Sequence, residues 1–104
     1  MFVFISEYQK PLDEVDQHRE AHLAFLAGLN ERGHILISGR RNPPLGGVVV
    51  IDAADLDEAK AIMAEDPFAK AGVAVYEPYE FNPSAGPSRS PEAESFLARR
   101  AGGS

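Results

Sequence analysis

The sequence predicts an α+β fold, a four-stranded antiparallel sheet with two helices on one face in the ferredoxin-like order βαββαβ. Three observations predict it. Strand-like and helix-like periods alternate along the chain in that order. Two of the strand-like runs, "FVFI" and "VVVI", are apolar in succession, as expected of central strands covered on both faces. The length, 104 residues, suits one domain with one core.

The first strand is Phe2 to Tyr8, rich in aromatic and branched residues and bounded by Pro11. The period then changes. Val15, His22, Phe25, Leu26 and Leu29 recur at helical spacing, which predicts one helix from Asp13 to Arg32. Asp13 serves as its N-cap, Asp16 suits the dipole in the first turn, and Gly33 provides a left-handed C-cap. "HILISGR" and "GGVVVIDA" follow as the second and third strands, joined by the turn-rich "RRNPPLGG". Asp55 and Glu58 form a capping-box pattern that opens a second helix, with Leu56, Ala59, Ile62 and Met63 inward and Pro67 as its terminator. The fourth strand is "GVAVYEPYEF", which Pro78 confines to an edge.

The first and third strands are therefore central. Two helices cover only one side of such a sheet, and a chain this short buries a modest share of its surface. The open face predicts a homodimer that packs through the sheet.

Residues 1–81 form the predicted domain. From Asn82 the composition becomes that of a Pro/Ser/Gly linker, "NPSAGPSRSP", and residues 92–100 allow one short helix anchored by Phe96 and Leu97.

Composition excludes several function classes. With no cysteine there is no disulfide framework, thiolate metal site or thiol catalysis, and the chain fits a reducing cytoplasm. Sixteen acidic against ten basic residues give a formal charge of −6, and the arginines fall in separate pairs, Arg40-Arg41 and Arg99-Arg100. That balance disfavours nucleic acid. No apolar stretch is long enough to cross a bilayer, and "MFVFISEY" reads as a strand rather than a secretory signal, so membrane attachment is not expected. A small-molecule ligand or another protein chain remains, with no cofactor called for.

The candidate chemistry centres on "HREAHLAFLAGL". His18 and His22 stand four residues apart, as metal ligands on a helix do, but no HExxH motif or third ligand accompanies them, so no metal is assigned. His18 reads as a side chain near the helix start. His22 shares the inward face with Phe25, Leu26 and Leu29. Asp66, in "AEDPFAKAG", reads by spacing alone as a turn residue before proline. Where two helices lie side by side, however, it reaches the region of His22, and a histidine beside a carboxylate can exchange protons near neutral pH. Arg19 is open to a surface ion pair with Asp16 or Glu20 or to a ligand role. Tyr8, Tyr76 and Tyr79 are open to a pocket or to a subunit contact.

One set of residues adds a resemblance. Arg19 and His22, Ser38-Gly39 after the second strand, Gly47 in the Gly-Gly before the third, and Asp66-Pro67-Phe68 followed by Gly72 are similar in order and spacing to the YCII-related (YciI-like) family. The likeness spans nearly all of Met1 to Phe81. It implies a dimeric ferredoxin-like α/β barrel whose pocket holds a His-Asp pair, in a family with one branch that dehydrochlorinates a chlorinated hydroxyquinol. On that resemblance His22 is the acid-base residue, Asp66 orients it, and Arg19, Ser38 and Gly39 bind an anionic or phenolic oxygen. Arg40-Arg41 depart from the proline expected nearby in the family.

Two function classes follow. One is a cofactor-independent enzyme that eliminates or isomerises a small molecule, dehydrochlorinase-like by resemblance. The other is a non-catalytic dimeric module that binds a metabolite or serves as an accessory that recruits another protein.

Overall fold

The computed structural model describes residues 1–84. The predicted helix at 92–100 lies outside the described residues.

The strands are β1 (Phe2–Tyr8), β2 (Ile35–Arg40), β3 (Gly47–Ile51) and β4 (Ala74–Glu80). They form one antiparallel sheet in the order β2-β3-β1-β4, so the two runs of consecutive apolar residues are the central strands. In register, Phe2 pairs with Ile51 and Phe4 with Val49 on one face, and Val3 pairs with Val50 and Ile5 with Val48 on the other. Pro78 sits on β4, an edge strand opposite Phe4. A register shift between Ile35 and Ile37 re-aims β2 and turns Ser38 toward the face of Val49.

The first helical segment differs from the single helix predicted over 13–32. It is divided into α1 (Leu12–Asp16) and α2 (Arg19–Glu31). At Gln17 and His18 the backbone N–H groups turn back to Glu14 and Val15, and His18, at φ −105° and ψ 2°, becomes the N-terminal boundary of α2. Pro11 rather than Asp13 precedes the first turn, and Asp13 instead accepts from the N–H of Glu14. Gly33 ends α2 as expected. With φ at +76°, it lets its own N–H reach Asn30 O and the His34 N–H reach Leu29 O, a Schellman closure.

The second helical segment is also corrected. α3 (Leu56–Met63) is capped by Asp55, whose side chain accepts from the Glu58 N–H at 2.8 Å, but it ends well before Pro67. Pro67 opens a further helix, α4 (Pro67–Lys70), at the first position, where its missing N–H costs nothing. Gly72, with φ at +71°, closes α4 in the same manner as Gly33 closes α2.

The main core joins Phe2, Phe4, Val49 and Ile51 of the sheet to Leu26, Leu29, Ala59 and Met63 of the helices. A smaller cluster of Val15, Phe68, Val73 and Ala74 holds α1 and α4 to the end of β4. Among the described residues no helix lies over the other face of the sheet. There Ile37 is 64% exposed, Val75 58% and Tyr79 50%, and they continue the surface of Val3, Ile5, Val48 and Val50.

Candidate functional site

The second corrected helix boundary positions the carboxylate. Because α3 stops at Met63, the chain turns through residues 64–66 and begins again at α4, with Asp66 as the N-cap. Its Oδ1 accepts from the N–H of Phe68 at 3.1 Å, the bond a helix start requires. The same carboxylate faces α2, where His22 Nδ1 lies 2.8 Å from Oδ1 and 3.0 Å from Oδ2. Tyr76, on β4, donates its hydroxyl to Oδ2. Asp66 is wholly buried, and these three donors compensate the negative charge that burial would otherwise penalise.

A carboxylate only accepts, so Nδ1 of His22 carries a proton in this arrangement, and whenever the ring is neutral Nε2 is the nitrogen with the lone pair. The imidazole stacks flat on Phe68, with ring centres 4.0 Å apart and planes within 6°. Stacking on one side and two carboxylate oxygens at one edge fix the ring. Tyr76 is held in its protonated form, because burial first and the charge of Asp66 second push its hydroxyl well above the ordinary phenol range. It therefore remains a donor to Asp66 at any ordinary pH.

His22 lines a cavity of about 250 Å³ between α2 and the helix-side face of the sheet. Ser6, Tyr8, Val49 and Tyr76 form its floor, and Leu23, Leu26 and Phe68 its apolar walls. Arg19, Ser38, Gly39 and Arg40 also line it. The structure thus brings together every residue singled out for the site, His22, Asp66, Arg19, Ser38 and Gly39, with Asp66 standing behind His22 rather than on the cavity surface. Of the tyrosines left open, Tyr8 and Tyr76 lie at the cavity and Tyr79 lies on the uncovered sheet face. His18 is half-buried at the start of α2, and no group of three or more His, Cys, Asp or Glu among the described residues could hold a metal.

Arg19 makes neither ion pair expected as its alternative role. Asp16 pairs with Arg40 instead, at 2.6 Å. Arg40 also donates from Nε to the Tyr8 hydroxyl at 3.1 Å, and its guanidinium lies 5.6 Å from the centre of the Tyr8 ring. Its pKa is raised further above the ordinary value, chiefly by the bond to Asp16.

Ser6 and Arg40 are the residues that sequence reasoning missed. Ser6 is a hydroxyl in an otherwise apolar stretch of a central strand, a signal available in "FVFISEY". It is buried, and its Oγ accepts from the Gly47 N–H at 2.7 Å. The glycine pair before β3 has a steric cause at this point. A Cβ on Gly46 would lie 1.7 Å from the backbone oxygen of Ser6. On Gly47 it would be 3.1 Å from Gly39 O. The close passage of these three segments shapes the cavity floor.

The family model of the YCII-related domain matches residues 1–82. Among solved structures, one similar to this chain is a 5-chloro-2-hydroxyhydroquinone dehydrochlorinase from Burkholderia phenoliruptrix AC1100, in complex with 2,5-dihydroxybenzoquinone. The two superpose with a TM-score of 0.63 at 24% sequence identity, over 78% of this chain and 93% of that one. At that identity the likeness establishes the fold. No curated protein sequence matches.

Proposed function

The chain belongs to the YCII-related family, and on that premise we propose that it is a cofactor-independent small-molecule enzyme in which His22 moves protons and Asp66 orients it. The observation that carries this reading is the arrangement of one imidazole, with Nδ1 held by a buried carboxylate and the ring lining a cavity. Such a histidine presents Nε2 as a base and, once protonated, as an acid. Arg19 and Ser38, with the backbone at Gly39, are the groups proposed to hold an oxygen of the substrate.

The reaction class is elimination or isomerisation of an oxygenated ring compound, and dehydrochlorination serves as its worked case. Nε2 takes a proton from a ring hydroxyl and returns one to the chlorine-bearing carbon, which becomes tetrahedral as that oxygen becomes a carbonyl. It then takes the proton of a second hydroxyl. The electron pair moves into the ring, the C–Cl bond breaks, and chloride leaves with its electrons. The net loss is HCl, with no oxidant or reductant consumed. General acid-base help of this kind contributes about 10²–10⁴ in rate.

The working form is proposed to be a homodimer through the uncovered sheet face, with residues 1–81 as its domain. The cysteine-free composition suits a cytoplasmic setting. No helix among the described residues is long and apolar enough to cross a membrane.

The test is chloride release from 5-chloro-2-hydroxyhydroquinone and related halogenated hydroquinones, by the wild type and by His22→Asn. The expected result is turnover by the wild type that falls about 10²–10⁴-fold in the variant, with affinity retained. Full turnover in His22→Asn refutes the acid-base role. Binding of these rings without any turnover in the wild type supports the alternative reading, a module that holds a metabolite in the same cavity.

A further inference from the structure

The cavity is polarised against the charge of the rest of the molecule. The chain carries a formal charge of −6, yet no aspartate or glutamate lies among the cavity-lining residues, which include two arginines. Two carboxylates stand just outside it: Asp66, wholly buried and already engaged with three donors, and Asp16, paired with Arg40 at 2.6 Å.

The two arginines differ in how they are held. Arg40 is braced by Tyr8 through Nε and by Asp16 through Nη2, which leaves further N–H groups of its planar fork without a partner among the described residues. Asp16 does not line the cavity, so it anchors Arg40 from outside. Arg19 has no hydrogen-bond or ion-pair partner among the described residues. One arginine is thus pre-organised, and the other is exposed and available to pair with an anionic ligand. Arginine donors match the two oxygens of a planar carboxylate better than a single hydroxyl oxygen.

We propose that the cavity selects an oxygenated ring compound bearing a carboxylate, with Arg40 as the specificity-determining residue and Arg19 as the second cation. The inference rests on the proposed function only in taking this cavity as the ligand site, and it deepens that reading by naming a substrate class. A volume of about 250 Å³ accommodates one substituted ring. The ring packs between Leu23, Leu26 and Phe68, and the carboxylate takes the open N–H groups of the arginines.

The experiment compares 2,5-dihydroxybenzoate with 2,5-dihydroxybenzyl alcohol, a neutral counterpart of similar shape, by calorimetric titration of the full chain. The carboxylate is expected to bind at least about tenfold more tightly. In Arg40→Gln the preference collapses toward unity, and in Arg19→Gln, which breaks no hydrogen bond or ion pair among the described residues, it is reduced. His22→Asn keeps the preference, so a failure of the acid-base reading is distinguishable from a failure of this one. Equal affinity for the two probes, no binding of either, or an unchanged preference in both arginine variants overturns the proposal.

Discussion

Replacing Asp66 with alanine removes a side chain that three parts of the molecule use at once. The Phe68 N–H at the start of α4 loses its cap, at a cost of about 1 kcal/mol. His22 loses a charged acceptor, worth about 1.5 kcal/mol, and the Tyr76 hydroxyl is left without its partner, which costs about 1–3 kcal/mol. Together these predict a loss of about 3.5–5.5 kcal/mol, a large share of the roughly 5–15 kcal/mol typical of a small domain. The larger claim concerns coupling. Tyr76→Phe alone removes one donor from a carboxylate that keeps two others, and it costs about 1.5 kcal/mol. In the double variant there is no orphaned hydroxyl, so it is expected to be no less stable than Asp66→Ala and to deviate from additivity by at least about 1.5 kcal/mol. Urea denaturation of the four proteins measures this. Additivity within about 0.5 kcal/mol would refute the claim that Asp66 and Tyr76 act as one buried unit.

Three further outcomes follow from the same structure. The folded protein favours the neutral Tyr76, so its contribution is complete below the ordinary phenol value of 10.0 and declines above it by about 1.4 kcal/mol per pH unit; stability against pH should be flatter in that alkaline window for Tyr76→Phe. Gly46→Ala places a Cβ 1.7 Å from Ser6 O and 2.6 Å from Ser6 C, both backbone atoms, so β1 and the turn before β3 must separate; a loss of about 3 kcal/mol or more in urea denaturation is expected. Ile37→Lys puts a charge on the uncovered sheet face at a residue with 64% exposure, so the isolated fold tolerates it; light scattering should find a dimeric wild type and a monomeric variant, and an unchanged mass would contradict the proposed sheet-face dimer.

Much of the fold was legible because the central strands must be apolar on both sides. "FVFI" and "VVVI" carry that requirement openly, and Pro78 marks an edge by the donor it lacks. The helix boundaries were less legible. Nothing between Val15 and His22 is a glycine or proline, so the break at Gln17 and His18 leaves no compositional trace, and the apolar period runs through it. Asp66-Pro67 was ambiguous in another way. The same two letters suit a terminator and an N-cap with proline at the first position, and only packing of α4 against α2 and β4 decides for the second. That choice is also what puts Asp66 against His22. Arg40 could not be read as a cavity residue from sequence, because its placement depends on the register shift in β2 and on Asp16, twenty-four positions away.

The central claim is that His22 carries its proton on Nδ1, toward Asp66, and offers Nε2 to the cavity. The ¹⁵N shifts of the two ring nitrogens, read by long-range ¹H–¹⁵N correlation at a pH where the ring is neutral, test it most directly. One fixed tautomer is expected, Nδ1 protonated and Nε2 bare, which gives way to a mixture in Asp66→Ala. A neutral ring protonated on Nε2, or two averaged nitrogens in the wild type, would contradict it.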